Sequence, residues 1–264
     1  KSQAIEWCNG LYIGSHWSNL PLNSLYNQKC YDIIFAWSEH FVNNNFKEIP
    51  KESAYIVGYP FDYYFNKMSK YRADHNSFII SFHDNIVKND ILYSIQMQID
   101  IYLMLIQLLK KYPTLKIIIQ SKKSNIFNMV LNKVPALDWY IRKSRVLLPS
   151  KGDEKTYPAD VSSKSDLAIG LGVSTAAAEC CFSGTVSFHV DLTHLYSNKF
   201  ANKFDGKFVF RNISDLKKAV ENQINGIGYT LQECKECHNY LDPFQDGNAY
   251  KRTGNLIKKI YKSL

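Results

Sequence analysis

The segment Asp166-Leu-Ala-Ile-Gly-Leu-Gly-Val-Ser-Thr-Ala-Ala-Ala-Glu179 holds the side chains best spaced for chemistry. An apolar run ends at Ile169, and Gly170 and Gly172 follow, where the lack of a side chain lets a ligand approach the backbone. Ser174 and Thr175 open a small-residue helical run, with hydroxyls and N–H groups facing one point. A helix start attracts phosphate, because its first N–H groups lack intrahelical partners and the dipole is positive there. Glu179 lies one turn beyond Thr175 on the same face, where its carboxylate can accept hydrogen bonds from ribose hydroxyls. The plainer reading is a Ser174 cap with a surface glutamate. Glycines, hydroxyls and carboxylate together favour the ligand site. The segment is not a dinucleotide fingerprint, since it comes late among the strands and lacks the third glycine.

Two further loops carry candidate groups. Gln120-Ser121-Lys122-Lys123 follows an apolar run, and Lys122 and Lys123 can neutralise a diphosphate or a nucleoside monophosphate. His83-Asp84-Asn85 follows another, where His83 can donate to phosphate and Asp84 can cap the next segment. The string Cys234-Lys-Glu-Cys237-His238 matches a c-type haem attachment site and half of a zinc site. No second ligand pair is spaced for zinc, so no metal and no cofactor are expected. The six cysteines show no disulfide framework, which favours a reducing compartment.

The elements that must position these groups alternate. Strands are expected at Tyr31–Trp37, Ala54–Val57, Phe78–Phe82, Leu115–Ile119, Arg145–Leu148, Asp166–Ile169, Thr185–Val190 and Lys207–Phe210. Helices are expected at Ile91–Tyr112, Ser124–Val134, Ala159–Lys164, Ser174–Phe182, Ser214–Ile224 and Asn248–Lys262. The alternation implies βαβ units and a parallel sheet with both faces covered. Ligands of such sheets bind beyond the carboxyl ends of the strands. That rule selects the loops at His83–Asn85, Gln120–Lys123, Gly170–Thr175 and Asp191–His194. The polar stretch Asn66–Asn76 reads as a linker or domain edge, dividing residues 1–65 from residues 66–264.

The 264 residues are 45% hydrophobic, enough to bury a core, and carry a formal charge of +8 at pH 7. The basic residues are scattered, so anionic ligands are plausible partners and a specific nucleic-acid site is not expected. The stretch Ile91–Leu109 is broken by Gln96, Gln98, Asp100 and Gln107, which suits a buried helix and not a membrane span. The closing helix sets Lys251, Arg252, Lys258, Lys259 and Lys262 beside Leu256, Ile257, Ile260 and Leu264. Such a helix can touch an anionic membrane. Packing on its own domain with a charged outer face is the favoured reading.

The pattern Ser165-Asp166-Leu-Ala-Ile-Gly170, Ser174-Thr175, Glu179, Gly184, a strand and Asp191 resembles the donor-binding domain of GT-B glycosyltransferases. The likeness is to bacterial surface-polysaccharide and capsule enzymes, including the glycerophosphate and Kdo or sialic-acid transferase groups. The run Leu241-Asp-Pro-Phe-Gln-Asp-Gly-Asn-Ala-Tyr-Lys-Arg252 is similar to one that precedes their final helix, and Gly58-Tyr59-Pro60 resembles the entry to the donor domain.

The resemblance implies an α/β fold with a Rossmann-like parallel sheet flanked by helices, preceded by a remnant of the acceptor-side domain. It implies a metal-independent, cytoplasmic glycosyltransferase with a CMP-, UDP- or CDP-linked sugar donor and a glycan acceptor. Its nucleotide-sugar site would comprise His83, Lys122, Lys123, Gly172, Ser174, Thr175, Glu179 and Asp191. The catalytic base is unassigned, and a base in the missing acceptor-side part is consistent with the pattern. A nucleotide-sugar epimerase shares the fold, and a non-catalytic module for anionic glycan or nucleic acid is the alternative from another class. Gly172-Val173 stands where paired serines are common.

Overall fold

Short β-branched runs with both faces apolar can be satisfied only inside a sheet covered on both sides. The computed structural model describes residues 33–45, 53–65, 77–85, 93–149, 156–193 and 199–263. Contacts divide the chain into two units, Ser69–Cys234 and Lys1–Met68 with Lys235–Leu264. The sequence reading placed 235–264 with the sheet-bearing part, whereas these residues group with the N-terminal segment. The expected linker Asn66–Asn76 lies outside the described residues.

The Ser69–Cys234 unit holds six strands: β3 (Ile79–His83), β4 (Lys116–Gln120), β5 (Val146–Leu147), β6 (Leu167–Leu171), β7 (Val186–Val190) and β8 (Val209–Phe210). All pair in parallel, in the order β5-β4-β3-β6-β7-β8. Every residue of β3, β6 and β7 is buried, as expected for two covered faces. The chain runs outward from β3 to β5, crosses back, and runs outward again from β6 to β8. The order therefore reverses between β3 and β6, the position at which open α/β sheets form a binding crevice.

Helices α3 (Ile95–Lys111), α4 (Ser124–Lys133), α5 (Ala136–Arg142), α6 (Pro158–Ser162), α7 (Thr175–Phe182), α8 (Lys199–Lys203) and α9 (Ile213–Ile224) flank this sheet. Ser94 caps α3 by accepting from Met97 N–H at 3.2 Å, so the helix begins at Ile95 and not at Ile91. At its other end Arg145 donates to the carbonyls of Leu109, Tyr112 and Leu115, tying the helix terminus to the start of β4. Helices α5 and α8 were not expected, because seven and five residues are too few to show a period. Helix α10 (Leu231–His238), also unexpected, buries Cys234 and Cys237 of the haem-like string. Cys234 Sγ lies 3.3 Å from Cys181 Sγ, and no disulfide joins the four described cysteines.

The N-terminal segment and residues 235–264 form a smaller arrangement. It contains the parallel pair β1 (Ile34–Ala36) and β2 (Ala54–Ile56), with helices α1 (Glu39–Asn45), α2 (Asp62–Phe65) and α11 (Ala249–Ser263). The edge-on pair of Trp37 and Tyr59 and the stacked pair of Tyr59 and Phe65 build its core. Helix α11 packs on α2, the direction expected for the final helix. Among the described residues no helix is long and apolar enough to cross a membrane.

Both family-like runs outside the sheet meet in this unit. Asp242, fully buried, accepts from Tyr59 N–H at 2.9 Å and from the N–H groups of Phe244 and Gln245. Arg252 donates to Val57 O and pairs with Asp246, with its guanidinium 3.8 Å from the Phe244 ring centroid. A Cβ at Gly58 would lie 3.0 Å from both Asp242 and Arg252, and its φ of +89° suits glycine. Asp242→Ala would orphan three buried or half-buried N–H groups. It should lower unfolding stability by about 2–4 kcal/mol, with Asp242→Asn costing less, as read by denaturant titration.

Candidate functional site

The turn after β6 is shaped by two glycines that admit the protein's own atoms. A Cβ at Gly170 would lie 2.7 Å from Ser174 Oγ and 2.9 Å from Ala177 Cβ, so glycine lets α7 start flat against its strand. Gly172 has φ +81°, and a Cβ there would lie 2.0 Å from Tyr93 Oη. Ser174 caps α7, its Oγ accepting from Ala177 N–H at 3.4 Å. Ser174 N–H donates to His189 Nδ1 on β7 at 3.3 Å, and the same nitrogen lies 3.4 Å from Gly172 O. Nδ1 accepts from Ser174 N–H in one tautomer and donates to Gly172 O in the other, and either way it binds this turn. The backbone from Gly172 to the helix start is thus one turn held by His189.

The neighbouring strands bring up the other loops. His83 sits beside Gly170 and beside Gln120 in the sheet register. Its Nδ1 lies 2.8 Å from Gln120 Oε1, and its Nε2 lies 3.2 Å from Ser81 Oγ and 3.4 Å from Cys180 Sγ. Both ring nitrogens are therefore engaged inside the sheet, and contact with phosphate requires one of these partners to be exchanged. Burial holds the imidazole down at about 4, against the opposing pull of Gln120, so it is neutral near pH 7.

Asp84, also buried, donates its N–H to Gln120 O and accepts from Lys122 N–H through Oδ1 at 2.6 Å. Its Oδ2 has no hydrogen-bond partner. Burial raises this carboxyl to about 6, while Ser121 and Lys122 pull it down. Burial also lowers the Lys122 ammonium, although the residue as a whole is solvent-exposed, and Asp84 opposes that shift.

The expected residues gather on one edge to differing degrees. Gly172, Ser174 and Thr175 form the turn and the first position of α7. Glu179 is buried within α7, not on a solvated face as the plainer reading had it. Asp191 follows β7, is fully buried, and accepts from Thr193. His194, at the end of that expected loop, lies outside the described residues. Lys122 is tied to the His83–Asn85 loop through Asp84, whereas Lys123 is exposed at the start of α4 and makes no side-chain cap bond. Sequence reasoning placed Gln120 in its loop without giving it a role, and missed Tyr93 and His189. Each is placed by residues distant in sequence, Tyr93 by its approach to Gly172, and nothing in its own neighbourhood marks it.

Asp84 and His83 give opposite pH dependences. The folded pKa of Asp84 lies above its ordinary 3.8, so its contribution is full below that value and is lost as pH rises through about 6. The folded pKa of His83 lies below its ordinary 6.5, so its contribution is full above that value and is lost as pH falls toward about 4. Asp84→Asn removes only the first. Relative to the parent, the variant should gain stability as pH is raised from 4 to 7, by about 3 kcal/mol in all. Melting curves across that range measure it, and a pH-independent difference would show that Asp84 does not titrate there.

No family model matches the chain, and no curated protein matches it in sequence. Solved structures match its fold. The S. aureus MnaA–UDP co-structure is 15% identical, with TM-score 0.60, covering 89% of this chain and 61% of that one. The UDP-GlcNAc 2-epimerase from Neisseria meningitidis, bound to UDP-GlcNAc, is 16% identical, with TM-score 0.59, covering 87% and 62%. The wall teichoic acid polymerase TagF is 13% identical, with TM-score 0.53, covering 88% and 58%. The chain carries a GT-B-like, Rossmann-like parallel sheet flanked by helices, as the resemblance implied. It spans about three fifths of the length of these structures.

Proposed function

We propose that this chain is the nucleotide-sugar-binding part of a glycosyltransferase that extends a bacterial surface glycan. The observation that carries the reading is the start of α7. It lies at the carboxyl edge of the sheet, directly after β6, one of the two strands that flank the reversal, with Ser174 as its cap and Thr175 as its first residue. A nucleotide-sugar donor leaves as a nucleoside phosphate, so transfer requires stabilisation of developing negative charge. The positive end of α7 supplies it through oriented N–H groups, and Lys122 supplies a full charge from the adjoining loop. In this reading Glu179 fixes the ribose, Asp191 and Lys123 border the site, and His83 contacts phosphate by giving up Ser81 or Gln120. UDP is the first nucleotide to test, because the S. aureus and Neisseria structures hold UDP and UDP-GlcNAc.

The likeness to a UDP-GlcNAc 2-epimerase favours one second reading, a nucleotide-sugar epimerase. The products separate the two. A transferase releases free nucleotide in proportion to the glycan made and depends on an acceptor. An epimerase inverts a sugar carbon without an acceptor and leaves the nucleotide attached. The decisive experiment incubates the full-length protein with CMP-, UDP- and CDP-linked sugars, with and without glycan acceptor. Binding of RNA or DNA with a steep salt slope, and no nucleotide binding, would point instead to a non-catalytic module.

Glu179→Ala should weaken nucleotide binding about ten- to a hundredfold, the loss of one charge-assisted hydrogen bond. Lys122→Ala should weaken a nucleoside diphosphate more than the bare nucleoside. Calorimetry with melting temperature recorded alongside checks both. Unchanged affinity in Glu179→Ala would remove the ribose role, and unfolding would make the buried Glu179 a structural residue.

The proposed site of action is the cytoplasm, where nucleotide sugars are made, with peripheral contact at the inner membrane face. Helix α11 supports that contact by exposing Tyr250, Ile257 and Tyr261 beside Lys251 and Lys258. The full-length protein should sediment with anionic membranes at low salt and leave them at high salt. Recovery in the soluble fraction at low salt rules the contact out.

A further inference from the structure

Tyr93 lies just before α3 and is 4% exposed, yet its hydroxyl has no hydrogen-bond partner. A buried hydroxyl of this kind costs stability unless something pairs with it. Its location is defined by Gly172. A side chain there would meet Tyr93 Oη at 2.0 Å and Cζ at 2.5 Å, so the tip of the phenol fills the space beside that glycine. Gly172 belongs to the same turn as the start of α7, because His189 Nδ1 lies against both Gly172 O and Ser174 N. The unpartnered hydroxyl therefore sits on the turn that leads into the positive end of an eight-residue helix.

The chemistry of the group fits an anion. Burial first, and then the Asp191 carboxylate, push the Tyr93 phenol further above its ordinary value, so it keeps its proton at any physiological pH. A protonated phenol can hold an anion only as a donor, and a phosphate oxygen is an acceptor.

We propose that Tyr93 is a ligand-binding residue whose Oη donates a hydrogen bond to the phosphate received by the Gly172–Thr175 turn. The assignment rests on the nucleotide reading of that turn. It also gives glycine at 172 a purpose that sequence alone did not supply. The glycine makes room for a donor from the segment just before α3, and the ligand meets Tyr93 there as well as the backbone.

The test uses Tyr93→Phe, which removes only the hydroxyl, in the full-length protein. UDP and uridine are titrated by calorimetry into parent and variant, and melting temperatures are recorded. The variant should bind UDP about tenfold more weakly, the scale of one hydrogen bond to a charged partner. Uridine affinity should be unchanged, and the melting temperature should hold or rise because an unpartnered buried hydroxyl has gone. Equal UDP affinity in parent and variant overturns the role of Tyr93 while leaving the nucleotide site standing. Loss of UDP and uridine affinity together with a lower melting temperature overturns it as well, since that pattern belongs to a packing residue. If the parent binds none of UDP, CDP and CMP, the nucleotide reading fails first and the Tyr93 assignment falls with it.

Discussion

The hydrogen-bonded pairing of β3 with β6 is the constraint on which the rest of this molecule depends. These two strands are far apart in the chain, yet they run side by side at the point where the strand order reverses. Because every neighbour in the sheet is parallel, all carboxyl ends fall on one edge. His83 comes beside Gly170, and Gly170 comes beside His189. The loops after β3, β4, β6 and β7 then have no choice but to share that edge. A slip of one residue in β6 would turn Gly170 away from α7 and seat a Cβ against Ser174 and Ala177.

Around that edge the polar groups are bound mainly to one another. His83 holds Gln120 and Ser81, Asp84 holds the backbone of Lys122, and His189 holds the turn before α7. Buried hydrogen bonds of this kind fix loops with little room to drift, because an unpaired buried group is costly. Preorganisation is what a phosphate site needs, since donors already aimed at the ligand do not have to be ordered by it. Among the described residues, Asp84 Oδ2, Tyr93 Oη and Gln98 Oε1 are buried atoms near this edge without a hydrogen-bond partner; Asp84 also holds Lys122, Tyr93 abuts Gly172, and Gln98 holds Asn85.

The smaller unit follows the same economy. Asp242 and Arg252 satisfy backbone groups around Gly58-Tyr59-Pro60, and a carboxylate and a guanidinium do there what a strand partner would do in a sheet. Two runs with no obvious common purpose in the sequence thus meet around one glycine. One supplies the acceptors and the cation, and the other supplies the N–H, the carbonyl and a glycine shaped to fit between them.

What the sequence determined by itself was whatever depends on neighbours along the chain. Apolar runs marked β3, β4, β6 and β7, the helical period and Pro113 marked α3, and Ser174 marked the start of α7. Turn chemistry and strand alternation were enough for a parallel α/β sheet. Short elements such as α5 and α8 escaped, because one or two turns show no period. Only the tertiary structure decided which atoms meet across the sheet. It paired His83 with Gln120 and Cys180, gave His189 the turn before α7, and put the Tyr93 hydroxyl where Gly172 has no side chain. Those contacts join strands that are remote in sequence and adjacent only by register, and register is set by the packing of the whole sheet, which no local pattern of residues encodes.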